Sequence, residues 1–397
     1  LDYITPSLFI ESNTMHGTIP AARKKIIERI ASIASRTRQR RDPVAGENFI
    51  RHYYRGVAEE DLAQYSSADL AAAALGQLRF AAVRRRGRPA VRVFNTESGN
   101  DGWSSTHSIV EVVVDDMPFL VDSLGMVLNQ AGLTIHLMVH PIISVRRDGA
   151  GRLVELGDGV NGKGKFTAES WQHIEIDRIG DPARLKELER KLLSVIEDVR
   201  LLVIDWKPMR SRALAIAKEI ESNPPPTSAS EAREVGALLE WMEANHFTFL
   251  GYREYRLKRG RTEDVLEAIP GTGMGILRER PGRPLEPTIL TTEMRAHARE
   301  PDLLTITKAN SISTVHRATY LDYIGIKVFD KTGRVTGEQR FLGLFTSAVY
   351  SRSPREIPLL RHKIERVISH FGLDPVSHDG KALMHVLETY PRDELFQ

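Results

Sequence analysis

Residues 108 to 206 constrain the fold more than any other stretch. Their apolar period switches between alternation and helical spacing in a fixed order: strand, helix, strand, strand, helix, strand. Ser108-Ile-Val-Glu-Val-Val-Val114 is β-branched and largely apolar, which predicts a buried central strand. The acidic turn Asp115-Asp116-Met117-Pro118 follows. Asp116 is predicted to cap the next helix, with Pro118 in its first turn, where a missing N–H costs nothing. Phe119, Leu120, Leu124, Val127 and Leu128 make one apolar helical face, and Gly132 stops the helix. Leu133 to Val145 reads as a second strand, with Arg146-Arg147-Asp148-Gly149 as a hairpin turn. Trp171 to Asp177 alternates as a half-buried strand. Asp181-Pro182 opens a helix with Leu185, Leu188, Leu192, Val195 and Ile196 inward, and Leu201-Leu-Val-Ile204 is predicted to close the unit as its fourth strand. This layout belongs to small ligand-sensing modules and points to regulation rather than to a catalytic centre.

The flanks are read the same way. Residues 20 to 41 form a basic amphipathic helix through Ile26, Ile27, Ile30 and Ile33. Residues 59 to 82 form another, capped at Ser67 or Asp69, and Val91-Arg-Val-Phe94 is a short strand. Lys207 to Ile220 is a short helix, and the prolines of Asn223-Pro-Pro-Pro-Thr-Ser-Ala-Ser230 mark the clearest linker. Beyond it come a helix, Glu231 to Glu243, and a strand, His246 to Tyr255. Two long strands, Ser313 to Phe329 and Glu338 to Tyr350, are joined by the hairpin turn Asp330-Lys-Thr-Gly333. The result is an antiparallel sheet with few helices, similar to sensory folds of the PAS or ACT type. Pro354 onward is helical, and Ser377 to Glu394 starts a further helical unit.

Composition excludes some classes. A length of 397 residues allows two or three domains of roughly 100–200 residues each. A net charge of +3 falls far short of a nucleic-acid binder's excess. The basic runs Arg38 to Arg41 and Arg84 to Arg88 have few aromatics around them and read as solvated surface, so no nucleic-acid partner is expected. The absence of cysteine rules out disulfides and thiolate metal sites, and it fits a reducing cytoplasm. No apolar run reaches the roughly 18 residues of a membrane span, and Leu1-Asp-Tyr-Ile-Thr5 is not the start of a signal peptide, so no membrane partner is expected. The chain begins at Leu1 and stops after Asp393-Glu-Leu-Phe-Gln397, as a piece of a longer polypeptide would.

The chemical motifs mostly fail on context. Gly157 to Gly164 fits the start of a phosphate-binding loop, but Gly164 stands where Ser or Thr should hold magnesium, and a strand follows rather than a helix. Gly271-Thr-Gly273-Met-Gly275-Ile276 lacks the third glycine of a dinucleotide fingerprint and reads as a turn after Pro270. His136 and His140 lie four residues apart on a predicted strand, roughly 13 Å, too far to share one metal ion, so they and His173 read as hydrogen-bonded histidines. No catalytic, cofactor-binding or metal-binding residue is assigned. The acidic turn has two readings. One is a helix cap beside a solvated acid. The other is an effector site, in which first-turn N–H groups hold a carboxylate and a neighbouring acid accepts an ammonium, as a small amino acid requires. Its residues are Asp115, Asp116, Met117, Pro118, Phe119 and Leu120, with Gly132, Leu133 and Thr134 on the next strand.

Longer motifs carry a resemblance. They include Asp101-Gly-Trp-Ser-Ser105, Asp115-Asp-Met-Pro-Phe-Leu-Val-Asp-Ser123, His136 to Pro141, Glu169-Ser-Trp171 and Glu175-Ile-Asp-Arg178. They continue with His246-Phe-Thr-Phe-Leu-Gly-Tyr252, Lys308-Ala-Asn-Ser311, Ser313-Thr-Val-His-Arg317, Phe341-Leu-Gly-Leu-Phe-Thr-Ser347, Ser353-Pro-Arg-Glu-Ile-Pro358, Ser377-His-Asp-Gly-Lys381 and Glu388 to Leu395. In this order they resemble the N-terminal part of the large bacterial NAD-specific glutamate dehydrogenases, over nearly all of the chain after about residue 45.

The resemblance implies an α+β chain. An ACT-like βαββαβ domain is followed by a second antiparallel-sheet domain, with flanking helices. The boundaries are a helical arm over residues 1–104, the ACT-like domain over 105–207, a helix and Pro-rich linker over 208–230, the second sheet domain over 231–352, and a helical segment over 353–397. The family's catalytic region lies elsewhere in a chain several times longer, where it oxidises glutamate to 2-oxoglutarate and ammonia with NAD. Its glycine-rich segment with the catalytic lysine has no counterpart here. The implied role is regulation and assembly, with the rest of its own chain, other copies in a tetramer and an amino-acid effector as partners. A free-standing amino-acid sensor is the alternative. One departure stands out: ligand-binding ACT modules generally carry glycine after the proline of the first turn, where this chain has Phe119. A contact between subunits is the alternative role for such a module.

Overall fold

The computed structural model describes residues 20–37, 46–96, 102–157, 166–282, 284–374 and 376–396. Arg38 to Arg41, Asp101 and residues 158–164 of the glycine-rich stretch lie outside the described residues. The chain divides into two units, Leu1–Glu197 and Asp198–Gln397.

The first unit opens with four helices: α1 (Ala21–Thr37), α2 (Glu47–Tyr53), α3 (Glu59–Ala63) and α4 (Ser67–Phe80). The run read as one helix over 59 to 82 is therefore two. It breaks at Ser66, which, rather than Ser67 or Asp69, is the cap: its side chain accepts the Asp69 N–H at 3.0 Å. The sheet follows as β1 (Ala90–Asn95), β2 (Ser108–Asp115), then helix α5 (Leu120–Gln130), β3 (Ile135–Val139), β4 (Ile142–Arg147), β5 (Leu153–Leu156) and β6 (Thr167–Ile176). All its pairings are antiparallel, in the order β1-β2-β6-β4-β5, with β3 also on β6. The single strand read over Leu133 to Val145 is thus β3 and β4. They part at His140-Pro141, because proline has no N–H for the ladder.

The predicted fourth strand is corrected more sharply. Leu201 to Ile204 and the helix read after it both lie within α6 (Pro182–Ser222), a helix of 41 residues. The seat such a strand would take, beside β2, is filled by β1, in the register Val93↔Val110 and Phe94↔Ile109. With that edge paired, four apolar residues among good helix formers continue the helix.

The sheet is covered on both faces. Val110, Val112, Val114, Ile174 and Ile176 pack with Leu120, Leu124, Leu128, Leu188 and Leu192 of α5 and α6. Val113, Leu137, Val139, Ile143 and Trp171 pack on the other face with residues of α1, α2 and α4, such as Ile30, Ile50 and Ala74. So β6, read as half-buried, is buried on both sides from Glu169 to Ile176, and the architecture is helices, sheet, helices.

The second unit contains α7 (Ala229–Trp241), a kinked turn (Met242–His246), β7 (Phe247–Arg259), β8 (Asp264–Ala268), β9 (Met274–Gly275) and β10 (Thr288–Ile289). It continues through α8 (Thr292–Arg299), β11 (Leu304–Ile312), β12 (Tyr320–Phe329), β13 (Val335–Phe345), α9 (Ser347–Ser351) and a 3₁₀ turn (Pro354–Glu356). Helices α10 (Leu360–Phe371), α11 (His378–Thr389) and α12 (Arg392–Phe396) complete it. Its sheet is antiparallel, in the order β10-β8-β7-β13-β12-β11, with β9 on β7.

The hairpin between β12 and β13 closes as read, with the Asp330 N–H on the Arg334 carbonyl at 2.9 Å and Gly333 at φ +79°. The strand expected from Ser313 starts only at Tyr320, because the Ser313 hydroxyl turns back to the Val315 carbonyl at 2.7 Å. Tyr350, expected in a strand, is in α9. The glycines at 271–275 form a turn and β9; a Cβ at Gly275 would stand 2.2 Å from the Leu250 carbonyl oxygen, so only glycine fits there. The chain is α+β.

Candidate functional site

The β2–α5 turn is built on an ion-pair cluster that the sequence did not reveal. Asp115 accepts the Arg84 guanidinium at 2.5 Å and the Gly87 N–H at 3.1 Å. Arg84 also reaches Glu169 at 2.6 Å, Arg147 reaches Glu169 at 2.7 and 2.8 Å, and the Trp171 indole N–H donates to it at 3.1 Å. Glu169 is 0% exposed and Arg84 4%, so Arg84 is not the solvated residue expected of its basic run. Burial works against the Glu169 charge, but the Arg147 and Arg84 guanidinia outweigh it and hold the carboxyl below its ordinary range. The cluster holds the Asp115 carboxylate in place through Arg84 and Gly87.

The Asp116 N–H donates to the Ala168 carbonyl at 3.0 Å and the residue is exposed. It does not cap α5. The helix starts at Leu120, its cap position is Phe119, and no side chain bonds there. Phe119 is left-handed, at φ +67° and ψ 0°, and half-buried, and its carbonyl accepts the Ser123 N–H at 3.0 Å. Met117 and Pro118 bridge β2 to it, which puts Asp116 too far upstream to reach the helix donors.

The second set of expected donors is committed within the chain. Gly132, at φ +71°, donates to the Asn129 carbonyl at 3.0 Å and Leu133 to the Leu128 carbonyl at 3.1 Å, a Schellman ending. The Thr134 N–H bonds the Asp177 carboxylate at 2.8 Å, and this bond, with that from His136, brings Asp177 down to about 2.

A second polar group lies on the sheet face towards the first helices. His173 Nδ1 is 3.4 Å from Glu111, and its Nε2 is 3.9 Å from Glu175; all three are buried. Burial works against the His173 charge, but the bonded Glu111 and the nearby Glu175 carboxylate prevail and lift it to about 9. His107 Nδ1 bonds Glu175 at 2.9 Å, and its ring stacks on His136 with centroids 4.1 Å apart. The sequence reads His136 and His173 as hydrogen-bonded histidines, whereas Glu111, Glu175 and His107 were missed, because Trp171-Gln-His-Ile-Glu alternates like a half-buried strand. The available signal was the pair of amphipathic segments upstream, which needed an apolar surface to cover. Among the described residues no group of three or more acids and histidines could hold a metal ion, and no helix is long and apolar enough to cross a membrane.

Comparison with known proteins agrees with this architecture. Residues 49–192 match the ACT1 domain of glutamate dehydrogenase, a span that takes in α2 to α4 as well as the sheet, and residues 357–397 match its helical motif 1. The chain is similar to the NAD-specific glutamate dehydrogenase of Halomonas elongata, at 38% identity over 88% of this chain and 22% of that protein. It is equally similar to that of Pseudomonas aeruginosa, at 38% over the same shares. The Mycobacterium tuberculosis protein of the same name is 30% identical over 72% of this chain and 17% of its own length. The chain thus spans about a fifth of the relatives it matches. It belongs to the NAD-specific glutamate dehydrogenase family, as the region that carries the ACT1 domain and helical motif 1.

Proposed function

We propose that this chain is a regulatory and assembly region of an NAD-dependent glutamate dehydrogenase and performs no chemistry itself. One observation carries the proposal: an ACT1 domain over residues 49–192 and a helical motif over residues 357–397 lie in a chain that accounts for only 22% of its relatives' length. Oxidation of glutamate to 2-oxoglutarate and ammonia, and the NAD that takes up the hydride, then belong to the rest of a longer polypeptide. The partners are that remainder and further copies, in a tetramer, in the cytoplasm. A small amino acid is the proposed effector, at Asp115, Asp116, Met117, Pro118, Phe119 and Leu120.

The test has two arms. Purified chain is mixed with glutamate and NAD, and absorbance of the reduced cofactor is followed; no turnover is expected, and turnover by this chain alone would sink the proposal. Calorimetric titration with glutamate, aspartate and leucine, on the native chain and on Asp116→Ala, tests the effector. Saturable binding weakened by the substitution is expected. Silence with every amino acid would remove the effector and leave the turn an architectural role.

A further inference from the structure

A cavity of about 270 Å³ lies between α4 and the β1 side of the sheet, and none of its residues belongs to the β2–α5 turn. Gly76, Arg79 and Phe80 of α4 line it, with Arg92 and Phe94 of β1, Trp103, and Glu111 of β2. Its charges are unequal. The Arg92 guanidinium sits 4.6 Å from the Phe80 ring centroid and 4.4 Å from that of Phe94, and it bonds Glu111 at 2.8 Å. Glu111 is buried, and its other oxygen faces His173, so its charge is spent within the protein. Arg79 is exposed and has no carboxylate partner among the described residues. Two guanidinia against one carboxylate leave the wall positive, and the unpaired one is a planar fork that matches a carboxylate at two points.

The remaining lining residues are Gly76 and three aromatics. Trp103 is buried against Ala73 and Ile109, with Phe94 beside it. Gly76 keeps the space open. A Cβ there would meet nothing closer than an Arg79 guanidinium nitrogen at 3.8 Å, so packing does not demand a glycine that a helix interior disfavours. The volume falls just below the roughly 300–1,000 Å³ of drug-sized sites, so the occupant is a small metabolite.

We propose that this cavity binds a small carboxylate carrying one negative charge and a flat apolar body, with Arg79 taking the carboxylate and Trp103 and Phe94 the body. The 397-residue chain is titrated calorimetrically with benzoate, with neutral benzamide and with inorganic phosphate. Saturable benzoate binding is expected, weaker by about tenfold or more in Arg79→Met and lost in Gly76→Leu. Circular dichroism melts confirm that both variants fold. Asp116→Ala should leave benzoate binding unchanged, which separates this site from the effector turn. The proposal is overturned by the absence of saturable benzoate binding, by equal binding of benzamide, by binding of phosphate alone, or by benzoate binding that survives either substitution.

Discussion

Phe119 shows what a single residue can hide. The turn into α5 needs a left-handed residue, the conformation glycine takes most easily, and Phe119 accepts it at φ +67° for a cost of about 1–2 kcal/mol. Phe119→Gly removes that strain and the half-buried ring together, so its stability should stay within about 1–2 kcal/mol of the native chain. Amino-acid binding at the turn should strengthen once the ring is gone. Calorimetry that shows no gain would mean the ring does not guard the turn. His173 makes a pH prediction. Its pKa rises from 6.5 to about 9 on folding, so its contribution is complete below about pH 6.5 and is lost as pH climbs through about 9. At about 1.4 kcal/mol per tenfold change in proton affinity, this is on the order of 3 kcal/mol. Melting of the native chain should fall between pH 7 and 10, and His173→Gln should flatten that fall while lowering stability at pH 7. Parallel pH profiles for the two proteins would refute the assignment. Arg84→Met should also destabilise, by roughly 2–4 kcal/mol, because it strips one cation from buried Glu169 while Arg147 keeps the other; urea titration measures it.

At the scale of elements, local signals were legible and distant ones were not. The strand at Ser108 to Val114, the helix ending at Gly132 and the hairpin at Asp330 to Gly333 are written in neighbouring residues, and the structure has all three. The short strand at Val91 to Phe94 was also legible, but not its seat beside β2. That seat turned Leu201 to Ile204 from the expected strand into helix, and four apolar residues cannot announce which of the two they will be. The burial of Arg84 and of the polar side of β6 was hidden for the same reason: the first depends on Glu169 and Asp115, the second on the first helices, all far away in sequence. Of the candidate site, the turn's position was legible, but the committed donors at Gly132, Leu133 and Thr134 depend on α5 and on Asp177. A chain trimmed to residues 105–207 therefore lacks β1 and the helical layer, and it exposes both the β2 edge and the Trp171 face. It should associate or stay unfolded in size-exclusion chromatography, whereas residues 20–222 should run as a compact species. A compact monomer from 105–207 would show that β1 and the helices are dispensable.

Over the whole molecule, composition set the class, the long motifs set the family and the Pro-rich segment suggested two sheet domains, while the division at Glu197 and Asp198, inside α6, came only from the structure. The first unit buries its sheet between two helical layers, and the second builds a separate antiparallel sheet. The placement of β1 also has a consequence in time. Every strand of the first sheet, from Ala90 to Ile176, precedes Pro182, where α6 begins. A ribosome making this chain at roughly 5–20 residues per second would release the complete sheet before that helix emerged. Had the edge strand come at Leu201 to Ile204, as the sequence pattern promised, β2 would have waited through the synthesis of the helix opened at Asp181-Pro182 with one side open to any passing strand. Drawing the edge from upstream lets the nascent sheet seal itself first and receive α6 onto a finished surface.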